Sequence, residues 1–102
     1  MAKGTKDRAV VIEVLYPSGR ASLLFGWTTD EATANVITLR KMQMCMYYPS
    51  GGVPGLASAG PPNGSTVGKA TDEAVIRHSE RSSIALVMTA SAAAVKAWEK
   101  YA

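Results

Sequence analysis

The chain has 102 residues, of which 47% are hydrophobic and 19% charged, a balance that excludes wholesale disorder and fits one globular domain. No apolar run reaches the ~18 residues of a membrane span, and the charged start lacks the apolar segment of a secretory signal, so we expect a cytoplasmic protein without membrane contact. The formal net charge is +3, but the cationic residues are scattered, which does not favour nucleic acid as a partner.

The first two elements are predicted to be the strands of a β-hairpin. Residues 9–16 (AVVIEVLY) are rich in β-branched side chains that alternate between two faces, and the sequence PSG ends this strand in a tight turn. Residues 20–27 continue the alternation with a second strand. Two such runs separated by a short turn favour a hairpin, and the polar stretch TTDEATA then leads to the next element.

Residues 36–48 (VITLRKMQMCMYY) predict a long strand whose alternation changes phase. The apolar positions are odd up to Leu39 and even from Met42 onward. Because side chains alternate with a period of two, one continuous strand cannot keep both sets on the same face. A bulge or turn near Arg40 and Lys41 is therefore predicted to restore the register.

Residues 49–69 are predicted to form one long ordered loop. They contain six of the nine glycines and four of the five prolines. Irregular loops longer than ~12 to 15 residues are uncommon in compact domains and are often functional. Val53 and Leu56 are apolar anchors within this segment, so we expect the loop to pack onto the body of the domain.

The stretch PPNGSTVGKAT at residues 61–71 has some features of a phosphate-binding loop but fails its spacing. A Walker A loop has four residues between two glycines, and Ser or Thr follows its lysine. Here Gly64 and Gly68 enclose three residues, and Ala70 follows Lys69. We therefore exclude a nucleoside-triphosphatase loop and favour a simple turn.

A weaker anion site is the alternative to that simple turn. Glycine-rich loops expose backbone amides to an anion, and hydroxyl and ammonium groups add further donors. Two tyrosines precede the loop, and since adjacent strand residues face opposite sides, one of them packs in the core while the other offers its ring and hydroxyl. The candidate ligand-binding residues are Arg40, Tyr47, Tyr48, Gly64, Ser65, Thr66 and Lys69.

Two short strands and a helix are predicted to complete the chain. Residues 74–76 and 83–88 have strand patterns, and the polar RHSERS between them favours a turn. Ser91 is the predicted N-cap of a helix at residues 91–101, which should cover one end of the sheet. The apolar stripe of this helix comprises Ala94, Val95, Trp98 and Tyr101.

Candidate catalytic groups are few. His78 is the sole histidine, and its neighbours on an extended chain would face opposite sides, so a surface-loop histidine is favoured over a relay. Cys45 has no adjacent base and is expected to be a small apolar residue that is buried or lies at an interface. The methionine row around it is interpreted as core filling, with a plastic partner-binding surface as the alternative. We assign no catalytic residue, no metal site and no cofactor.

Several stretches that run through most of the chain carry a resemblance to a known family. They are residues 23–27 (LLFGW), 37–48 (ITLRKMQMCMYY) and 52–61 (GVPGLASAGP), Gly64 with Ser65 and Gly68, and Ala94, Val95, Trp98 and Glu99. They resemble an uncharacterised family of small proteins from tailed phages and prophages, known as a domain of unknown function. The family more often has Asn-Ala-Arg at residues 41–43 (KMQ) and tryptophan at Tyr48. The resemblance implies a phage origin and a small β-rich fold, with no established activity or cofactor.

The predicted fold is a mainly β α+β domain spanning residues 1–102. We expect a strongly bent antiparallel sheet or barrel of five or six strands, the long Gly/Pro-rich loop and the C-terminal helix. Exposed sheet edges and the strand rich in methionine and tyrosine predict a homo-oligomer.

The phage origin that the resemblance implies leaves two classes of function. We predict a non-enzymatic binding protein that acts in the cytoplasm of the infected bacterial cell. Its predicted role is anti-defence, through binding of an anionic ligand such as a signalling nucleotide, or of a host protein. The alternative is a virion structural component, such as a capsid decoration or head-completion protein.

Overall fold

One antiparallel sheet with two short helices packed on it makes up the described part of the chain. The computed structural model describes residues 6–19, 21–47, 52–77 and 83–101. The strands are β1 (Arg8–Leu15), β2 (Ala21–Thr28), β3 (Val36–Tyr47), β4 (Thr66–Val67), β5 (Glu73–Arg77) and β6 (Ser83–Thr89). The helices are α1 (Gly52–Ser58) and α2 (Ala92–Glu99). The predicted mainly β α+β class is confirmed.

The strands of the sheet lie in the order β4-β3-β2-β1-β6, and β5 also pairs with β3. β1 and β2 form the predicted hairpin, with Arg8 opposite Thr28 and Leu15 opposite Ala21. β6 pairs antiparallel with the other edge of β1. β1 is therefore paired along both of its edges, and consecutive residues 9–12 are buried on both faces of the sheet.

A nearly continuous stretch of chain lines the outer edge of β3. β5 pairs with the first part of β3, and β4 pairs with its last residues. Between these two pairings, the Gly68 N–H donates to the Met44 carbonyl at 2.9 Å, and the Thr71 N–H donates to the Met42 carbonyl at 2.9 Å. The glycine-containing turn and the segment after it are therefore attached to the sheet along most of the length of β3.

The predicted phase change in β3 is a β-bulge. Phe25 of β2 pairs with Gln43, and Trp27 pairs with Arg40, so β3 has one more residue than β2 between these two pairs. The backbone of Lys41 has a φ of +53°, and among the non-glycine residues that are described it alone has a positive φ. The extra residue restores the register, as the sequence predicted.

The two faces of the sheet are buried in different ways. The helix-side core consists of Ala9, Val11, Leu23, Phe25, Cys45, Leu56, Ala57, Ala94 and Trp98. The strand-side core consists of Val10, Ile12, Val14, Leu24, Ile37 and Leu39. β5 and β6 contact each other although they flank opposite ends of the β1-β2-β3 unit, so the sheet bends around the strand-side core. No pairing joins these two strands within the described residues, so the sheet is open and the barrel alternative is not supported.

The segment predicted as a long loop contains α1 and β4. Leu56 is fully buried, as expected for an apolar anchor, whereas the side chain of Val53 and residues 49–51 lie outside the described part. Gly60, with a φ of +82°, follows α1, and its N–H donates to the Gly55 carbonyl at 3.2 Å, which is typical of a helix C-terminus. The sequence missed this helix because its glycines and proline are local signals for a loop.

α2 begins and packs as the sequence predicted. The Ser91 hydroxyl caps the helix by accepting the Ala94 N–H at 3.1 Å. Trp98 is fully buried, and its ring stacks on that of Phe25 with centroids 4.9 Å apart and planes 9° apart. No helix in the described ranges is long and apolar enough to cross a bilayer.

Candidate functional site

A cavity of about 260 Å³ lies where the bulge of β3 faces the end of α2. We call it the bulge cavity, and its lining residues are Phe25, Trp27, Lys41, Gln43, Ala70 and Glu99. Phe25 and Gln43 are buried and form its floor, whereas Lys41 and Glu99 are exposed and lie at its opening. The cavity therefore combines an aromatic and amide floor with a charged rim.

The bulge is the feature that brings Lys41 to this opening. The Lys41 N–H donates to the Asp72 carbonyl at 3.0 Å, which attaches the bulge to the segment before β5. A left-handed backbone at a residue other than glycine costs about 1–2 kcal/mol. Bulges often re-aim a side chain beside a functional site, and local strain tends to be retained at such sites. A lysine at this strained position therefore indicates that its ammonium group has a function.

The floor of the cavity is held by hydrogen bonds between distant elements. The Gln43 amide donates from Nε2 to the Trp98 carbonyl at 3.0 Å. The Trp98 indole donates from Nε1 to the Leu56 carbonyl at 3.1 Å. In the part of the chain that is described, no buried side-chain nitrogen or oxygen lacks a partner. β3, α1 and α2 are thus joined under the cavity, which gives it a fixed shape.

The rim carries two opposite charges that are separate from each other. Lys41 belongs to β3, whereas Glu99 is the last residue of α2. The salt bridge found among the described residues joins Arg40 to Asp7, and no ion pair joins Lys41 to Glu99. Both rim charges are therefore accessible to a ligand.

The structure separates the predicted candidate residues into two groups. Arg40 is exposed and forms its salt bridge with Asp7. Tyr47 lies at the other end of β3 and pairs there with Thr66. Arg40 and Tyr47 are seven residues apart on one strand, roughly 23 Å at the usual rise of a β-strand. The two strand positions are therefore too far apart for one small ligand to lie beside both.

The residues of the glycine turn make a local structure. Gly64 has a φ of +90°, and the Ser65 N–H and hydroxyl both donate to the Pro62 carbonyl, at 3.1 Å and 2.6 Å. The interpretation as a turn is confirmed, and strands β4 and β5 rather than a helix follow it. Lys69 is exposed beside Ala70 of the bulge cavity. Tyr48 and the side chain of Tyr47 lie outside the described residues, as does His78.

A second, more open cavity of about 600 Å³ lies beside the end of β3. Its lining residues are Tyr16, Ser18, Ala21, Ser22, Met44, Cys45 and Met46, none of which is charged. Met44 is 37% exposed and Met46 is 61% exposed, and we call these two residues with Tyr16 the methionine surface. Core filling is therefore wrong for these two methionines, although Met42 does pack against the strand-side core. Cys45 is buried, as predicted.

No family model, curated protein or solved structure matches this chain. The resemblance to a phage family therefore stays a prediction, and function is argued from the chemistry of the site itself. Sequence reasoning missed the four residues that matter most in the bulge cavity. They are Trp27, Lys41, Gln43 and Glu99. The phase change in β3 was the available signal, because it located the bulge that aims the lysine.

Proposed function

We propose that the chain is a non-enzymatic binding protein whose site is the bulge cavity. A small ligand with an anionic group binds there against the ammonium of Lys41. The observation that carries this proposal is the position of that lysine, on a strained bulge at the opening of a cavity with a buried floor. A few convergent polar groups in a concave site with aromatic lining are typical of small-molecule sites.

Binding is favoured over catalysis because of what lines the cavity. The floor offers an aromatic ring and an amide that is already hydrogen-bonded, and the six lining residues include no histidine, cysteine, serine or threonine. Within the described ranges, no three His, Cys, Asp or Glu side chains are grouped closely enough to hold a metal ion. The aromatic rings and the amide recognise shape and hydrogen-bonding groups, and the two lining groups able to transfer a proton, Lys41 and Glu99, are exposed at the rim rather than held in the buried floor.

The size of the cavity limits the ligand. Its volume of about 260 Å³ lies below the roughly 300 Å³ at which pockets for drug-sized molecules begin. A metabolite smaller than a nucleotide therefore fits better than the signalling nucleotide expected from the sequence. A nucleotide would place only its phosphate or its base inside.

The biological role that we propose follows from the phage origin implied by the family resemblance. A protein of this kind acts in the infected bacterial cell, where removing a small host metabolite from solution opposes a defence response. The methionine surface supports the alternative role as a virion component, because exposed apolar side chains suit contacts with other subunits. Mass spectrometry of purified particles separates the two roles, since a structural part is abundant there and an intracellular protein is absent.

The binding proposal is tested with wild-type protein and two single variants. Lys41→Asn removes the charge and keeps a residue that tolerates the left-handed backbone. Arg40→Gln removes the neighbouring cation, which points to Asp7, and serves as the matched control. Native mass spectrometry of freshly isolated protein, followed by calorimetry with the released molecule or with a panel of small carboxylates and phosphates, measures binding.

We expect Lys41→Asn to weaken binding at least tenfold and Arg40→Gln to bind like wild type. If Arg40→Gln lost binding and Lys41→Asn did not, the site would instead be the one predicted from the sequence. The binding proposal fails if wild-type protein binds no member of the panel and carries no molecule.

A further inference from the structure

Two charged residues of the bulge cavity occupy positions that their local structure disfavours. Lys41 has a left-handed backbone, which glycine or asparagine adopts more easily. Glu99 is the last residue of α2, where the negative end of the helix dipole repels a carboxylate. Residues whose type disagrees with the local backbone conformation or the helix dipole, without stabilising the fold in return, are concentrated at functional sites. Both the lysine and the glutamate are therefore interpreted as ligand-binding residues.

The small size of the cavity couples these two charges. A sphere of the same volume, 260 Å³, is roughly 8 Å across, which is no more than the Debye length of ~8 Å at physiological ionic strength. An anionic group bound at Lys41 thus experiences the charge of Glu99 as well. A simple anion is repelled by that carboxylate, and a simple cation is repelled by the lysine.

We propose that the ligand is a zwitterion of amino-acid size. Its carboxylate binds the ammonium of Lys41, its ammonium group binds the carboxylate of Glu99, and its apolar part lies against the half-buried ring of Trp27. Such a ligand satisfies both rim charges at once, and within the described residues neither charge forms an ion pair. This inference rests on the proposed function, because it names the ligand class of the same site.

The floor of the cavity supports a ligand with a compact apolar side chain. Gln43 is held by the Trp98 carbonyl, and Phe25 is held by its stack on the Trp98 ring, so neither floor residue has to move. A preformed floor lowers the entropy lost on binding. A free amino acid with an aliphatic or aromatic side chain fits this combination of rigid floor and paired rim charges.

The experiment compares each zwitterion with analogues that lack one charge. The full chain is titrated by calorimetry with the common L-amino acids, and then with the amide and the N-acetyl derivative of the one that binds best. The amide keeps only the ammonium group, and the N-acetyl derivative keeps only the carboxylate. Lys41→Asn and Glu99→Gln are titrated with the same three compounds, and circular dichroism verifies that both variants fold.

We expect both derivatives to bind wild-type protein at least tenfold more weakly than the amino acid. Glu99→Gln should weaken binding of the amino acid at least fivefold, and should strengthen rather than weaken binding of the N-acetyl derivative, because the repulsive carboxylate is gone. Lys41→Asn should likewise strengthen rather than weaken binding of the amide. If the N-acetyl derivative binds as well as the amino acid and Glu99→Gln has no effect, the zwitterion is rejected and the anion-binding proposal stands. If no amino acid binds, the zwitterion is rejected, and the panel of small anions decides the broader proposal by itself.

Discussion

The helix side and the strand side of the sheet are built from the same strands but are closed in different ways. On the helix side, an aromatic stack joins β2 to α2, and two hydrogen bonds from side chains to carbonyls join β3 to α2 and α2 to α1. On the strand side, aliphatic residues pack inside the bend of the sheet, and the surface opens at the end of β3 into the methionine surface. The helix side therefore has a fixed geometry that suits a ligand site, whereas the strand side has an adaptable surface.

Because of its bulge, β3 contributes its odd-numbered side chains to the strand-side core before the bulge and to the helix-side core after it. Before it, odd-numbered Leu39 packs in the strand-side core, whereas after it odd-numbered Cys45 packs in the helix-side core. The even-numbered Met42 takes over on the strand side. The one extra residue thus moves the odd-numbered side chains from the strand side of the sheet to the helix side. At the same point it places Lys41 at the cavity.

The largest effect is expected for Trp98→Ala, which removes the side chain that joins α2 to the sheet and to α1. The loss of a fully buried tryptophan should lower the free energy of unfolding by about 3–5 kcal/mol. Trp98→Phe is the matched control, because it keeps a ring to stack on Phe25 while it loses the donor to the Leu56 carbonyl and part of the buried volume. That control should cost about 1–3 kcal/mol. Urea unfolding measures both, and a loss below about 1 kcal/mol for alanine would show that the helices contribute little.

Gly60→Ala should have the next largest effect, because it pushes α1 and α2 apart. A Cβ at this position would lie 2.4 Å from the Cβ of Ala97, and the φ of +82° is itself unfavourable for alanine. Together these effects should cost roughly 2–4 kcal/mol. Gly19→Ala has a similar φ of +86° but open space around it, so it should cost only about 1–2 kcal/mol. Equal losses in the two variants, measured by urea unfolding, would contradict close packing of the helices.

The helix side was also the harder side to predict from sequence, for a physical reason. Local signals located the hairpin, the bulge and the N-cap at Ser91, because each depends on a few neighbouring residues. α1 depends on burial of Leu56 against residues far along the chain, which overrides the loop signals of its glycines and proline. The bulge cavity needs side chains from β2, β3, the segment before β5 and α2, and no local pattern reports that they meet.

The smallest effect on stability is expected at the methionine surface, where Met46→Ser tests whether the strand side is adaptable. Because Met46 is 61% exposed, the change should alter the free energy of unfolding by less than about 0.5 kcal/mol. Met42→Ser is the matched control on the same face, and since Met42 packs against the strand-side core it should cost about 1–2 kcal/mol. Light scattering of the same samples tests the predicted homo-oligomer. If copies associate through this surface, Met46→Ser dissociates them without changing the fold, whereas a large loss of stability in Met46→Ser would mean that this side chain belongs to the core.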